Sequence, residues 1–155
     1  MNQLFIILFM IFVGSLISLQ GSANSALGKY LEHPLHAAIV SFSSGLLVLC
    51  LVSLFMKIGF PSATKVLATP KSLLIGGFLG TIYVTSVIVC APKVGVATVV
   101  LAALCGQIIF SLVLDHIGAF GMPQNPIDLP RVIGACLMIL GLMVINHKKI
   151  MGLFS

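Results

Sequence analysis

Five long apolar runs, separated by short polar breaks, make up most of the chain. Within each run the apolar residues follow one another without the strict polar alternation of a half-buried strand. A helix needs about 20 mostly apolar residues to cross a membrane, and in lipid its backbone groups must be hydrogen-bonded within the segment. The pattern therefore predicts an all-α, polytopic membrane helix bundle with five transmembrane helices, over about residues 3–27, 35–56, 72–91, 94–114 and 131–146.

The breaks between the runs contain residues that favour helix ends and interfacial loops. Pro34 is placed to open the second helix, since proline is well tolerated at the first helical position. The segment APKVG leaves so little chain between the third and fourth runs that an antiparallel hairpin is expected. No segment of soluble character remains, and no Lys or Arg precedes the first run. We therefore expect residues 1–155 to form one integral membrane domain without a cleaved leader.

Composition supports the membrane assignment. Of the 155 residues, 59% are hydrophobic and 7% are charged, whereas a soluble domain carries about 25% charged residues. The net charge of +5 does not indicate nucleic-acid binding, because the basic residues are scattered at the ends of the runs. There they are placed to contact lipid headgroups. We therefore expect membrane lipid as a partner and no nucleic acid; the basic residues are Lys29, Lys57, Lys65, Lys71, Lys93, Arg131, Lys148 and Lys149.

Few residues carry chemistry that could serve catalysis or metal binding. The four cysteines lie inside apolar runs and form no CxxC motif, so we interpret them as small packing residues. His33 and His36 could pair as metal ligands, but Pro34 between them makes a shared helical face doubtful. No Walker loop, GxSxG or HExxH motif is present. We expect no metal, no cofactor and no enzymatic activity.

Small residues recur at helical spacing on several runs. In the first run they form a stripe along one face, and the third run contains a small-xxx-small pair. Such stripes let helix backbones approach closely in lipid, where apolar burial gives no driving force between helices. We predict that helices pack at Gly14, Gly21, Gly76 and Gly80.

Polar side chains inside the apolar runs are the candidates for a binding site. Gln20 and Asn24 lie four residues apart, next to the stripe of small residues, and no Asp or Glu lies near the centre of a run. A buried amide in lipid needs a hydrogen-bond partner, so the two amides either join helices or face a polar cavity. We hypothesise that they line a substrate cavity, with Tyr83 and Gln107 opposite or beside them.

Asp115 and His116 close the fourth apolar run. One interpretation is a helix end that contacts lipid headgroups. The other is a gate or titrating pair at the mouth of a cavity, since histidine changes charge near neutral pH.

The distribution of basic residues gives no preferred orientation in the membrane. With five spans, one side would carry Lys57, Lys65, Lys71 and Arg131. The other side would carry Lys29, Lys93, Lys148 and Lys149. The positive-inside rule orients a protein by the difference in the number of basic residues between the two sides, and this difference is zero here. We therefore predict dual topology and an antiparallel homodimer, analogous to an inverted-repeat transporter. The alternative is a single orientation, set weakly by the first span.

Three strings together resemble the YdcZ-like family of the drug/metabolite transporter superfamily. They are QGSANSALGKYLEHPLHAAIVSFSSG, GGFLGTIYVTSVIVCAPKVGVAT and GQIIFSLVLDHIGAFGMPQNPIDLPRVIGACLMILGLMVI, and they cover most of the chain. The family pattern falls here on Gln20, Asn24, Leu27, Gly28, Pro34, Ser41, Phe42, Gly45, Gly80, Tyr83, Pro92, Gly95, Gln107, Asp115, His116, Gly118 and Arg131.

The resemblance implies an EamA-like, half-size, five-span member of a superfamily whose larger members carry ten spans as two inverted repeats. It implies a bacterial-type inner membrane location and secondary transport, most often export, of a small metabolite or drug-like molecule. Alternating access in a homodimer is the expected mechanism. The alternative function is a non-transporting accessory or assembly subunit of a membrane complex. The resemblance names no substrate.

Overall fold

The computed structural model describes residues 3–151, and over this range the chain is helical with no strand. The all-α membrane bundle predicted from the sequence is confirmed. In chain order the elements are α1 (Gln3–Tyr30), α2 (Pro34–Phe55), α3 (Ala63–Ala68), a 3₁₀ turn (Lys71–Leu73), α4 (Ile75–Val94), α5 (Val96–Ile117), a second 3₁₀ turn (Ala119–Gly121), α6 (Leu129–Ile145) and α7 (His147–Met151).

Four helical segments within residues 3–151 are long and apolar enough to cross a membrane: α1, α2, α4 together with the turn before it, and α5. The fifth predicted span corresponds to α6, which has 17 residues. At about 1.5 Å per residue, α6 is roughly 25 Å long, near the short limit for a spanning helix. Whether α6 crosses the membrane therefore stays a prediction.

The chain divides into two compact units, Met1–Lys93 and Val94–Ser155. In the first unit α1 packs on α2, and in the second α5 packs on α6. The hairpin predicted for the third and fourth runs lies at this division, so it stays a prediction, as does the single domain over residues 1–155. At the division Gly95 has a φ of +87°, a conformation that favours glycine, and it separates α4 from α5.

Local chemistry explains where the helices begin and end. Pro34 occupies the first turn of α2, and Nδ1 of His33 accepts a hydrogen bond from the Leu35 backbone at 3.2 Å. Ser62 caps α3 by accepting from the Lys65 backbone at 3.4 Å. The helix α3 lies between two predicted spans, and its six residues are too few to give a clear helical pattern in the sequence. Gly118 ends α5 in the left-handed conformation, as glycine commonly does.

The first unit is held together where all three of its long helices meet. Ala37 and Ala38 of α2 are buried against Ile88 of α4, with Leu27 of α1 packed beside them. Gly28 makes this approach possible, because a Cβ there would lie 2.7 Å from Cγ2 of Ile88. A real side-chain carbon essentially never comes that close, so glycine at this position permits α1 and α4 to touch.

The second unit is joined by a polar contact near the start of α5 and the end of α6. The hydroxyl of Thr98 donates to Oδ1 of Asn146 at 2.7 Å, and Nδ2 of Asn146 donates to the Leu142 carbonyl at 2.9 Å. Asn146 is 8% exposed, so both of these groups are satisfied away from solvent.

Candidate functional site

A groove of about 310 Å³ in the first unit contains the strongest candidate site. It is formed by all three long helices of that unit, and its volume is near the lower limit of ordinary small-molecule sites. Its walls are mostly apolar, and its polar side chains are one amide and one hydroxyl. The lining residues are Gln20 of α1, Ser41, Phe42, Gly45, Leu46 and Leu49 of α2, and Val84 of α4.

The two amides of the first helix have different surroundings. Gln20 is exposed and lines the groove. Asn24 is 8% exposed, and its Nδ2 donates to the hydroxyl of Ser41 at 3.1 Å. Asn24 therefore joins α1 to α2 through a residue that lines the groove, whereas Gln20 lines the groove itself. Substrate binding by either residue stays a prediction.

The fourth helix approaches the groove through a small residue. A Cβ at Gly80 would lie 3.7 Å from Cζ of Phe42, so the aromatic ring that lines the groove rests close to the α4 backbone. Tyr83 is half-buried one residue before Val84, but it does not line the groove. The hydroxyl of Thr85 is buried and has no hydrogen-bond partner among the described residues.

Gln107, the fourth candidate for substrate binding, lies on α5 in the second unit, where its side chain is exposed. The structure therefore brings Gln20, Asn24 and Tyr83 into one unit and gives Gln107 separate surroundings. Its assignment to the substrate site stays a prediction.

The four predicted packing glycines divide into two groups. A Cβ at Gly21 would lie 3.1 Å from Cγ1 of Val87, and Gly80 lies against Phe42. At Gly14 and Gly76 such a Cβ would meet no neighbouring helix within 4 Å among the described residues. The packing role of all four stays a prediction.

Asp115 and His116 hold the loop that connects α5 to α6. Oδ2 of Asp115 is 3.6 Å from Nη1 of Arg131, and the same nitrogen donates to the Asn125 carbonyl at 3.2 Å. Nδ1 of His116 accepts from the Ile127 backbone at 3.2 Å. These bonds fold the loop back onto both helix ends, which favours a structural role. A gating or titrating role stays a prediction.

Two polar contacts between helices could not be predicted from the sequence. The first is the hydrogen bond from Asn24 to Ser41. A serine hydroxyl in a helix commonly bonds to its own helix, as those of Ser22 and Ser25 do here, so Ser41 gave no sign of a partner on α1. The pairing of Thr98 with Asn146 joins residues 48 positions apart. Its sequence signal was weak, namely one asparagine at the end of the last apolar run.

Among the described residues, no three His, Cys, Asp or Glu side chains lie close enough to hold a metal ion.

Comparison with known proteins identifies the family. A family model described as "Putative inner membrane exporter, YdcZ" matches residues 5–144, which include the groove and the loop held by Asp115 and His116. No curated protein and no solved structure matches the chain. The match covers most of the sequence and agrees with the apolar, membrane-length helices. The chain therefore belongs to the YdcZ family of inner membrane exporters and is an integral inner membrane protein of the transporter type.

Proposed function

We propose that the chain is a secondary transporter that exports a small metabolite or drug-like molecule by alternating access, and that the groove at Gln20 and Ser41 contacts the substrate. The observation that carries this proposal is the groove itself, which places uncharged polar groups on apolar walls among three long helices. Apolar walls with a few oriented polar groups are typical of small-molecule sites.

The chemistry of the groove limits the class of substrate. No charged side chain lines it, so an isolated charge entering it would lose its hydration without gaining an ion pair. The amide of Gln20 can both donate and accept hydrogen bonds, and the ring of Phe42 offers an apolar contact. We expect neutral, zwitterionic or aromatic substrates and not a bare dication.

The proposal includes an antiparallel homodimer. The chain is half the size implied for ten-span relatives, and its basic residues divide four to four between the two sides if five helices cross. That count depends on α6. If α6 did not cross, the two basic residues after it would change sides and the count would be six to two. The equal number of basic residues on the two sides of the membrane thus supports dual topology only if α6 crosses the membrane.

A second copy would also complete the surfaces that one copy leaves open. Gly14 and Gly76 face open space, although small residues of this kind allow close helix contacts in lipid. In inverted-repeat transporters the substrate lies at the repeat interface. In a homodimer the partner subunit would form the other wall of the site.

An accessory or assembly subunit is the second candidate function. The mostly apolar walls of the groove favour it, because a helix of another membrane protein would pack well there. The two candidates differ in whether water enters the groove, because a transport cavity must open to water in at least one state.

Thiol labelling tests this difference without knowledge of the substrate. In a chain whose four cysteines are replaced by alanine, Gln20→Cys is compared with Leu19→Cys, a neighbour that is 67% exposed on the same helix. A charged, membrane-impermeant thiol reagent should label the Gln20→Cys variant and leave the Leu19→Cys variant unlabelled in membranes. Protection of both positions would favour the accessory role and count against a transport cavity.

A further inference from the structure

A second cavity lies at the end of the first unit that carries the turn between α1 and α2. Its volume is about 240 Å³, and its walls come from the end of α1, the start of α2 and the end of α4. It does not share a lining residue with the groove at Gln20. A ligand in this cavity would therefore occupy a different site from the transported substrate.

Two lysines from different helices line this cavity. Lys29 lies in the last turn of α1, and Lys93 lies in the last turn of α4. No acidic side chain lines the cavity. In the part of the chain that the structure describes, Arg131 and Asp115 of the other unit form the one ion pair between side chains. Neither lysine is therefore paired with an acidic side chain of the described residues.

Each lysine lies in the last turn of its helix, where a cation interacts favourably with the helix dipole. Both lysines are exposed and line one small cavity that no acid lines. The cavity therefore has a positive potential that favours an anion. The nearest acid in the sequence, Glu32, is exposed and does not line the cavity.

The remaining walls suit a ligand that is polar at one end and apolar at the other. Ile88, Val89 and Pro92 of α4 supply apolar surface. The buried hydroxyl of Ser25 donates its proton to the Gly21 carbonyl at 2.8 Å, so the lysines must supply the contacts to an anion. Because both lysines lie at the ends of membrane-length helices, we expect the cavity to lie at the level of the lipid headgroups.

From this arrangement we propose that the cavity binds the phosphate headgroup of an anionic phospholipid between Lys29 and Lys93. The two ammonium groups contact the phosphate, and the apolar wall of α4 contacts the start of the acyl chains. Basic pockets between membrane helices bind anionic headgroups in this manner. A free phosphate would satisfy the same charges without using the apolar wall, so the test must separate these two sources.

The test uses thermal unfolding of the purified full chain in a neutral detergent. Wild type is titrated with phosphatidylglycerol, phosphatidylcholine or inorganic phosphate, and the apparent affinity is taken from the shift of the midpoint. The same titrations are made with Lys29→Gln/Lys93→Gln. The matched control is Lys65→Gln/Lys71→Gln, which removes the same charge from exposed positions in the segment between α2 and α4.

We expect phosphatidylglycerol to stabilise wild type and the control more than phosphatidylcholine does. Each lysine should contribute about fivefold in affinity, so the Lys29→Gln/Lys93→Gln variant should bind phosphatidylglycerol about 25-fold more weakly. Lys29→Arg/Lys93→Arg keeps the charges and should retain binding. If the double glutamine variant does not fold, the single Lys93→Gln variant should still show the fivefold loss.

Four results would overturn the proposal. The first is an equal effect of phosphatidylglycerol and phosphatidylcholine on wild type. The second is an equal loss in the control variant, which would indicate general attraction to the charged surface. The third is unchanged phosphatidylglycerol binding after both lysines are replaced. The fourth is stabilisation by inorganic phosphate at the same lysines with no added effect of the lipid, which would make a soluble phosphate the ligand.

Discussion

The side-chain amide of Asn24 donates to the hydroxyl of Ser41 at 3.1 Å and joins α1 to α2 directly behind the groove. Asn24 lies one helical turn after Gln20, and Ser41 lines the same groove as Gln20. The hydrogen bond thus fixes the position of one polar group of the candidate site, and a hydroxyl that accepts from Asn24 can still donate to a substrate.

A double-mutant cycle should measure this bond. We expect Asn24→Ala and Ser41→Ala each to lower the free energy of unfolding, with a coupling energy of about 0.6–2 kcal/mol, the range found for interhelical hydrogen bonds in membranes. Unfolding in mixed micelles gives the four free energies of unfolding that the cycle needs, those of wild type, the two single variants and the double variant. Strictly additive effects would show that the contact does not contribute to stability.

Gly28 and Gly14 should respond in opposite ways to the same substitution. Both lie on α1, but a Cβ at Gly28 would lie 2.7 Å from Ile88, whereas a Cβ at Gly14 would meet nothing within 4 Å. Alanine is favoured over glycine in a helix interior by about 1 kcal/mol. We expect Gly14→Ala to leave the fold intact or stabilise it and Gly28→Ala to destabilise it, as measured by thermal unfolding. Equal stabilisation by both would contradict the close contact of α1 with α4.

Gly76 should matter for assembly and not for the fold of one chain. The space beside it is open, so Gly76→Leu should leave the helical content unchanged while a large side chain weakens a helix contact with a second copy. Cross-linking and light scattering in detergent would report the change. Unchanged dimerisation of Gly76→Leu would show that this glycine faces lipid.

The orientation of the chain can be read from its C-terminal end. In a chain without native cysteines, a His147→Cys label leaves the division of Lys and Arg unchanged. It should react from both sides of the membrane if both orientations are populated. Two or three lysines added to one side should bias insertion and lower transport activity. Reaction from one side alone would rule out dual topology.

The sequence predicted the helices well because lipid leaves the backbone few choices. An apolar run of sufficient length must be helical, and Pro34 marks the start of one helix. The segment Ala63–Ala68 gave no such signal, because a helix of this length needs neither an apolar run nor a clear period.

The candidate site was harder to predict, because a period identifies a helix face but not what covers that face. Gly76 and Gly80 have the same spacing signal, yet Phe42 of another helix lies over Gly80 alone. In the same way, the four-residue spacing of Gln20 and Asn24 places both amides near one side of α1. Ser41 of α2 contacts Asn24, and Gln20 lies at the groove. Which amide meets Ser41 depends on how α2 is rotated about its axis against α1, and packing between segments distant in the sequence sets this rotation.

The central claim is that Gln20 serves transport, and the rate at which a ligand crosses proteoliposomes measures this most directly. The ligand is first found by a thermal-shift screen of neutral, zwitterionic and aromatic metabolites, with dications as the contrasting group. Gln20→Leu keeps the bulk of the side chain and removes its hydrogen bonds, and Gln3→Leu makes the same change on the same helix outside the groove. We predict transport by wild type and Gln3→Leu, and none by Gln20→Leu, although that variant still folds and dimerises. Transport by Gln20→Leu at the wild-type rate would contradict the account.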